Sequence, residues 1–193
     1  MREADRWASC ELVTGAFALL LAIPFTVRSE GVAPQDEARV RAERFAAAGA
    51  WDSAVAAYEE IIRADGSQRQ TLAPLLVRMA LKAGSADKAL HWANEVARSH
   101  PRPKAYLAGV HAELGHLDDA VRLAGEAMAS AQSARERIEL HWQLADLQER
   151  RHERSAAEAE LRQAVEESSG LPERAAAERR LAQFLSAAPG DVR

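Results

Sequence analysis

The residues of this chain that could do chemistry are six histidines, one cysteine and several runs of glutamate. Two imidazoles hold a metal from a single helix when they stand four residues apart on one face. His111 and His116 stand five apart, about 500° of rotation even if a helix ran through Gly115, so their spacing does not favour a shared ion. His141 and His152 fall on different expected helices, and no HExxH pair occurs. Cys10 is the only cysteine, which rules out an intramolecular disulfide, and its place beside an apolar run suits no nucleophile. Glu158, Glu160, Glu166 and Glu167 are spread around one helix and read as a solvated face. A phosphate-cradling glycine loop is missing too, so the pattern offers no catalytic constellation, and neither a cofactor nor a metal is expected.

The elements that carry these residues are helical. Hydrophobic residues make up 48% of the chain and aromatic residues only 5%, with much of the apolar count being Ala, a composition that favours closely packed helices. No stretch alternates with period two for long, so the expected fold class is all-α. The formal net charge is −4, with both signs interleaved, and the absence of a basic stripe excludes a nucleic-acid partner. The basic residues are almost all Arg, which suggests a GC-rich bacterial genome.

One phrase recurs along the chain. It reads Gly49-Ala50-Trp51-Asp52-Ser53-Ala54, Gly84-Ser85-Ala86-Asp87-Lys88-Ala89 and Gly115-His116-Leu117-Asp118-Asp119-Ala120. Each copy lies between stretches of helical apolar spacing and reads as a turn. Gly suits a left-handed helix end, Asp is expected to accept from free amides at the next helix start, and Ala permits close approach. Arg41, Leu76 and Leu107 stand eight residues before these glycines, with Ala42, Val77 and Ala108 one residue later. Tyr58, Ala93 and Ala124 follow the phrase's Ala by four, and Ile61, Val96 and Ala127 by seven, offsets that share one helix face. A fourth copy, His152-Glu153-Arg154-Ser155-Ala156-Ala157, keeps Ala but replaces Gly by His and Asp by Ser, within an expected unit at 138–170. Pro172 then opens a last helix with Ala177, Leu181 and Phe184 on one face, fit to cap the array.

The pattern resembles the tetratricopeptide repeat, a helix-turn-helix unit of 34 residues, over residues 35–186. Glycine spacings of 35 and 31 residues depart from strict regularity, and Pro101 and Pro103 break the chain where the shortening occurs. The resemblance implies about four repeats in a superhelical array with a C-terminal capping helix. It also implies a concave groove for an extended peptide, lined mainly by the first helix of each repeat. The groove positions map onto Arg39, Glu43, Arg78, Lys82, Arg102, Glu113, Trp142, Asp146 and Arg150. The family's carboxylate clamp needs Lys and Asn where this chain has Arg39 and Glu43, so the clamp does not carry over. Trp142 is either a groove anchor or a core residue, whereas Trp51 and Trp92 read as packing residues.

Ahead of the repeats, Leu12–Val27 contains sixteen residues without a charge, and a span from Trp7 to Val27 would be about 30 Å long as a helix, enough for one bilayer core. A lipoprotein signal would need its Cys after this run. No convincing small-x-small cleavage site follows it between Pro24 and Glu30. The expected organisation is a cytoplasmic tail and transmembrane signal anchor at 1–30, a linker at 31–37, the repeats at 38–187 and a flexible tail at 188–193. The expected location is the bacterial inner membrane, with the repeats in the periplasm. Cytoplasmic repeats, or a cleaved and exported product, stay open because the flanking positive charges do not decide orientation. The expected function is a non-catalytic interaction scaffold or assembly factor that meets another protein or peptide, and membrane lipid through the N-terminal helix. The alternative is an accessory subunit of a membrane complex, with Gly15, Ala16 and Ala18 packing against other transmembrane helices.

Overall fold

A computed structural model describes residues 34–187, which belong to a unit running from Val32 to Arg193. Among them lie α1 (Pro34–Ala47), α2 (Trp51–Ala64), a short 3₁₀ turn (Gly66–Gln68), α3 (Arg69–Ala83), α4 (Ala86–Ala97) and α5 (Pro103–Glu113). Then follow α6 (Leu117–Ala129), α7 (Ala134–Arg150), α8 (Arg154–Glu167) and α9 (Arg174–Ser186). Each α-helix packs on the next in sequence, so α1/α2, α3/α4, α5/α6 and α7/α8 form four hairpins and α9 closes the row. The all-α expectation holds, and no strand occurs among the described residues. The expected anchor at 1–30 and the tail at 188–193 lie outside the described residues. No described helix is long and apolar enough to cross a membrane.

Some boundaries move. α1 begins at Pro34, inside the 31–37 stretch read as a linker, because proline is tolerated in a first turn and Asp36 and Glu37 complement the positive end of the helix. α9 begins at Arg174 rather than Pro172. The intervening residues form a turn in which Leu171 donates its amide to Ser168 (2.9 Å) and Arg174 donates to Leu171 (3.2 Å).

The four recurrent turns are built alike. In each, an amide five residues on returns to a carbonyl of the first helix: Ala50 to Phe45 (2.9 Å), Ser85 to Ala80 (2.9 Å), His116 to His111 (2.9 Å) and Glu153 to Gln148 (2.8 Å). Closing this loop needs a left-handed residue, supplied by Gly49, Gly84 and Gly115 with φ of 73°, 70° and 79°. In the fourth turn His152 takes the same conformation with φ of 62°, alone in doing so among the described non-glycine residues. The geometry therefore survives the loss of glycine.

The Asp of the phrase plays a different part from the one expected. Ala50, Ser85 and His116 precede the second helices and make no side-chain cap bond. Asp52, Asp87 and Asp118 sit inside the first turn, where their charge favours the helix dipole. Two of them also reach forward one hairpin. Asp52 accepts from the Ser85 hydroxyl at 2.7 Å, and Asp118 pairs with Arg151 at 3.1 Å.

The core follows the phrase closely. Ala54, Ala89, Ala120 and Ala157 are all fully buried, as are Ala42 and Ala108. Large side chains concentrate in the first two hairpins, where Leu76, Ile61, Tyr58 and Trp92 share one cluster. Ala108, Ala120 and Ala124 then dominate a thinner cluster around α5 and α6. Trp92 is buried with its indole N–H donating to Glu59 at 3.1 Å, and Trp51 packs against the same cluster half-buried. At the far end α9 shows mostly polar residues to solvent, with Ala175, Ala182 and Leu185 exposed among them. Arg154 donates to the Phe184 and Ala187 carbonyls at 2.8 Å each, satisfying groups that a helix end leaves open.

A left-handed histidine costs about 1 kcal/mol relative to glycine, so His152→Gly should raise the melting temperature by a few degrees. Gly84→Ala should lower stability by a similar amount, since an added Cβ would meet nothing within 4 Å and only backbone strain would act. Equal melting temperatures for all three proteins would contradict this account of the turns.

Candidate partner-binding face

The first helices of the hairpins, α1, α3, α5 and α7, carry all but one of the residues that the repeat pattern nominates for binding, with Arg102 standing just ahead of α5. Spacing by four aligns Arg39 with Glu43 on α1, Arg78 with Lys82 on α3, and Trp142, Asp146 and Arg150 on α7. Glu113 ends α5. These nine residues are not equivalent. Their hydrogen bonds divide them into a braced group and a free one.

The C-terminal group is tied into the protein itself. Arg102 pairs with Glu139 of α7, which Arg135 also approaches at 3.6 Å. Gln143 donates to the Ala105 carbonyl at 3.0 Å, and Arg150 donates to the Ala112 carbonyl in the last turn of α5 at 2.6 Å. Both carboxylate oxygens of Asp146 accept from Arg180 of α9, at 2.5 and 2.7 Å. Trp142 packs against the cluster formed by Ala145, Ala157, Leu161 and Phe184, beneath the guanidinium of Arg180 at 5.5 Å from its ring centroid. Its indole N–H is buried and makes no hydrogen bond. Open clefts of about 690 Å³ beside Arg102 and Lys104, and about 510 Å³ beside Asp146 and Arg180, lie against these braces.

The other group, four residues of α1 and α3 together with Glu113, is free of such ties. Arg39, Glu43, Arg78 and Glu113 are exposed and form no ion pair with another described residue. Arg39 and Glu43 lie near the Tyr58 phenol. Burial pushes that phenol up, with Glu43 adding to the rise and Arg39 opposing it. Lys82 is exposed and holds its ammonium 4.5 Å from the centroid of the Trp51 ring.

His111 and His116 are a finding that helical spacing missed. The helix does not continue through Gly115, and the turn's hydrogen bond joins these two residues, bringing their rings to 5.7 Å. The signal lay in the turn itself, because residues five apart across a glycine-closed turn are neighbours. His111 Nδ1 is buried without a hydrogen bond and stands 4.0 Å from an Asp119 oxygen. Burial lowers the His111 pKa, with Asp119 opposing the shift and His116 and Arg122 adding to it. Among the described residues, no three His, Cys, Asp or Glu side chains are grouped to hold a metal.

No protein-family model and no curated protein matches the chain. Among solved structures, one titled "Crystal structure of MamA protein" aligns over 78% of this chain and 87% of that chain. The identity is 13% and the TM-score 0.47.

His111 and three carboxylates of this region shift in one direction, downward. Arg122 holds Asp119 below the usual carboxylate range, Lys104 and Arg122 do the same for Glu126, and Arg137 does so for Glu167. A carboxylate lowered in the folded state stabilises above its unfolded pKa, and that contribution is lost as pH falls through the folded value. His111, lowered by burial, stabilises fully above about pH 6.5, the unfolded histidine value, and loses that contribution as pH falls through its lower folded value. Melting temperature should therefore fall on acidification, beginning at slightly acid pH. His111→Phe, which places the aromatic side chain of Phe45 at the matching point of the third turn, should flatten the first part of that fall. An unchanged pH profile in this variant would show that His111 does not contribute.

Proposed function

We propose that the chain is a scaffold that binds another protein through the first-helix face of its hairpins, acting by shape and charge complementarity without covalent chemistry. The observation that carries this reading is a set of exposed charged residues on α1, α3 and α5 of a helical array, none in an ion pair with another described residue. Exposed charges with no internal partner add little to folding, and they are available to a partner of complementary charge. Tandem hairpins suit the role because each one adds a similar strip of surface to an extended face.

The uncharged run Leu12–Val27 supports tethering of this scaffold to a bacterial inner membrane, and the proposal places the repeats in the periplasm. A second reading, an accessory subunit of a membrane complex, draws on Gly15, Ala16 and Ala18, which would allow close packing of that run against other helices. In the scaffold reading the full-length protein stays in the pellet on carbonate extraction, and added protease degrades the repeats in spheroplasts while sparing them in intact cells. The partner then co-purifies in substoichiometric amounts. A freely soluble product would contradict the anchor, and a constant stoichiometric complex in mild detergent would favour the accessory subunit.

A further inference from the structure

From Gly66 to Ala86 the chain contains no Asp or Glu and three cations, Arg69, Arg78 and Lys82, in a protein of net charge −4. Arg69 is answered by Glu95 at 3.7 Å. Arg78 and Lys82 are not answered. They stand one turn apart on α3, both exposed, and like charges at this spacing disfavour the helix that carries them. Beside them Trp51 heads α2, its ring half-buried and facing the Lys82 ammonium across 4.5 Å. Trp51 and Lys82 line a shallow cleft of about 300 Å³ together with Asp52 and Ser53. Asp52 brings one carboxylate to that cleft, where it accepts from the Ser85 hydroxyl and forms no ion pair with Lys82.

Building on the scaffold reading, we propose that Arg78, Lys82 and Trp51 form its specificity site, for a partner segment in which a carboxylate side chain stands next to an apolar one. The cations supply the charge the segment lacks, and the indole offers rigid apolar area beside them, a pairing typical of binding hot spots. An anionic membrane surface fits less well. Recognition of such a surface takes clusters of about four to eight cations, whereas here two stand free in an acidic protein.

The test uses the full chain in nonionic detergent and a fluorescein-labelled peptide of alternating Glu and Leu, with a Lys and Leu peptide as its counterpart. The wild type should bind the acidic peptide in a salt-sensitive manner and ignore the basic one. Arg78→Glu with Lys82→Glu should weaken acidic-peptide binding by about tenfold or more and transfer preference to the basic peptide. Trp51→Ala should weaken binding without changing which charge is preferred. Should the reversal impair folding by circular dichroism, Arg78→Gln with Lys82→Gln replaces it, with loss of binding and no transfer expected. Acidic-peptide binding that is absent, or unchanged by both substitutions, overturns the proposal, as does tighter binding to phosphatidylglycerol vesicles than to the peptide. If the charge-reversed protein still co-purifies with its cellular partner, this site is overturned while the scaffold reading stands.

Discussion

Each hairpin depends on one residue held in the left-handed region, which lets an amide five positions on close the end of the first helix. That bond fixes where the first helix stops and the angle at which the second leaves. It also fixes which residues become neighbours, and it delivers a fully buried Ala to the contact between the two helices at Ala54, Ala89, Ala120 and Ala157. The side chains at such a contact set how near two helices can come, and with Ala there the axes lie close. Hairpins built this way expose a similar face each time.

Regularity of turns does not extend to regularity of surface. At the C-terminal end the first helices are joined by contacts of their own: Gln143 and Arg150 reach carbonyls of α5, and Asp146 grips Arg180 of α9. The core there divides into two smaller clusters that mix Ala with Leu144, Leu147, Leu161 and Phe184, and the polar braces join helices across them. The first two hairpins share a larger core containing Leu, Ile, Tyr and Trp, and on α1 and α3 Arg39, Glu43 and Arg78 are exposed.

The architecture was legible in the sequence because turns and cores have local signatures. Glycine at a fixed offset, Asp three residues later and small residues at helical spacing announced three hairpins, and the flanks of His152 announced the fourth. The role of Asp was misread, since capping an adjacent amide and reaching Ser85 or Arg151 one hairpin on look the same in a string of letters. Helical rotation does not foretell the meeting of His111 and His116, because the helix ends before Gly115 and the turn brings the two rings together. Eight of the nine nominated face residues lie on first helices, as offset alone places them, and Arg102 stands just ahead of α5. Which of them are free could not be read that way, because the partners of Arg102, Asp146 and Arg150 lie more than thirty residues away and depend on rotamers and helix separation.

The central claim is that a protein partner meets the free half of this face. A photocrosslinking amino acid introduced singly at Arg39, Glu43, Arg78, Asp146 and Arg150 of the full-length protein in its native membrane tests it most directly. The account predicts that one partner is trapped from positions 39, 43 and 78 and not from 146 or 150. Trapping confined to the last two positions, or equal at all five, would contradict it.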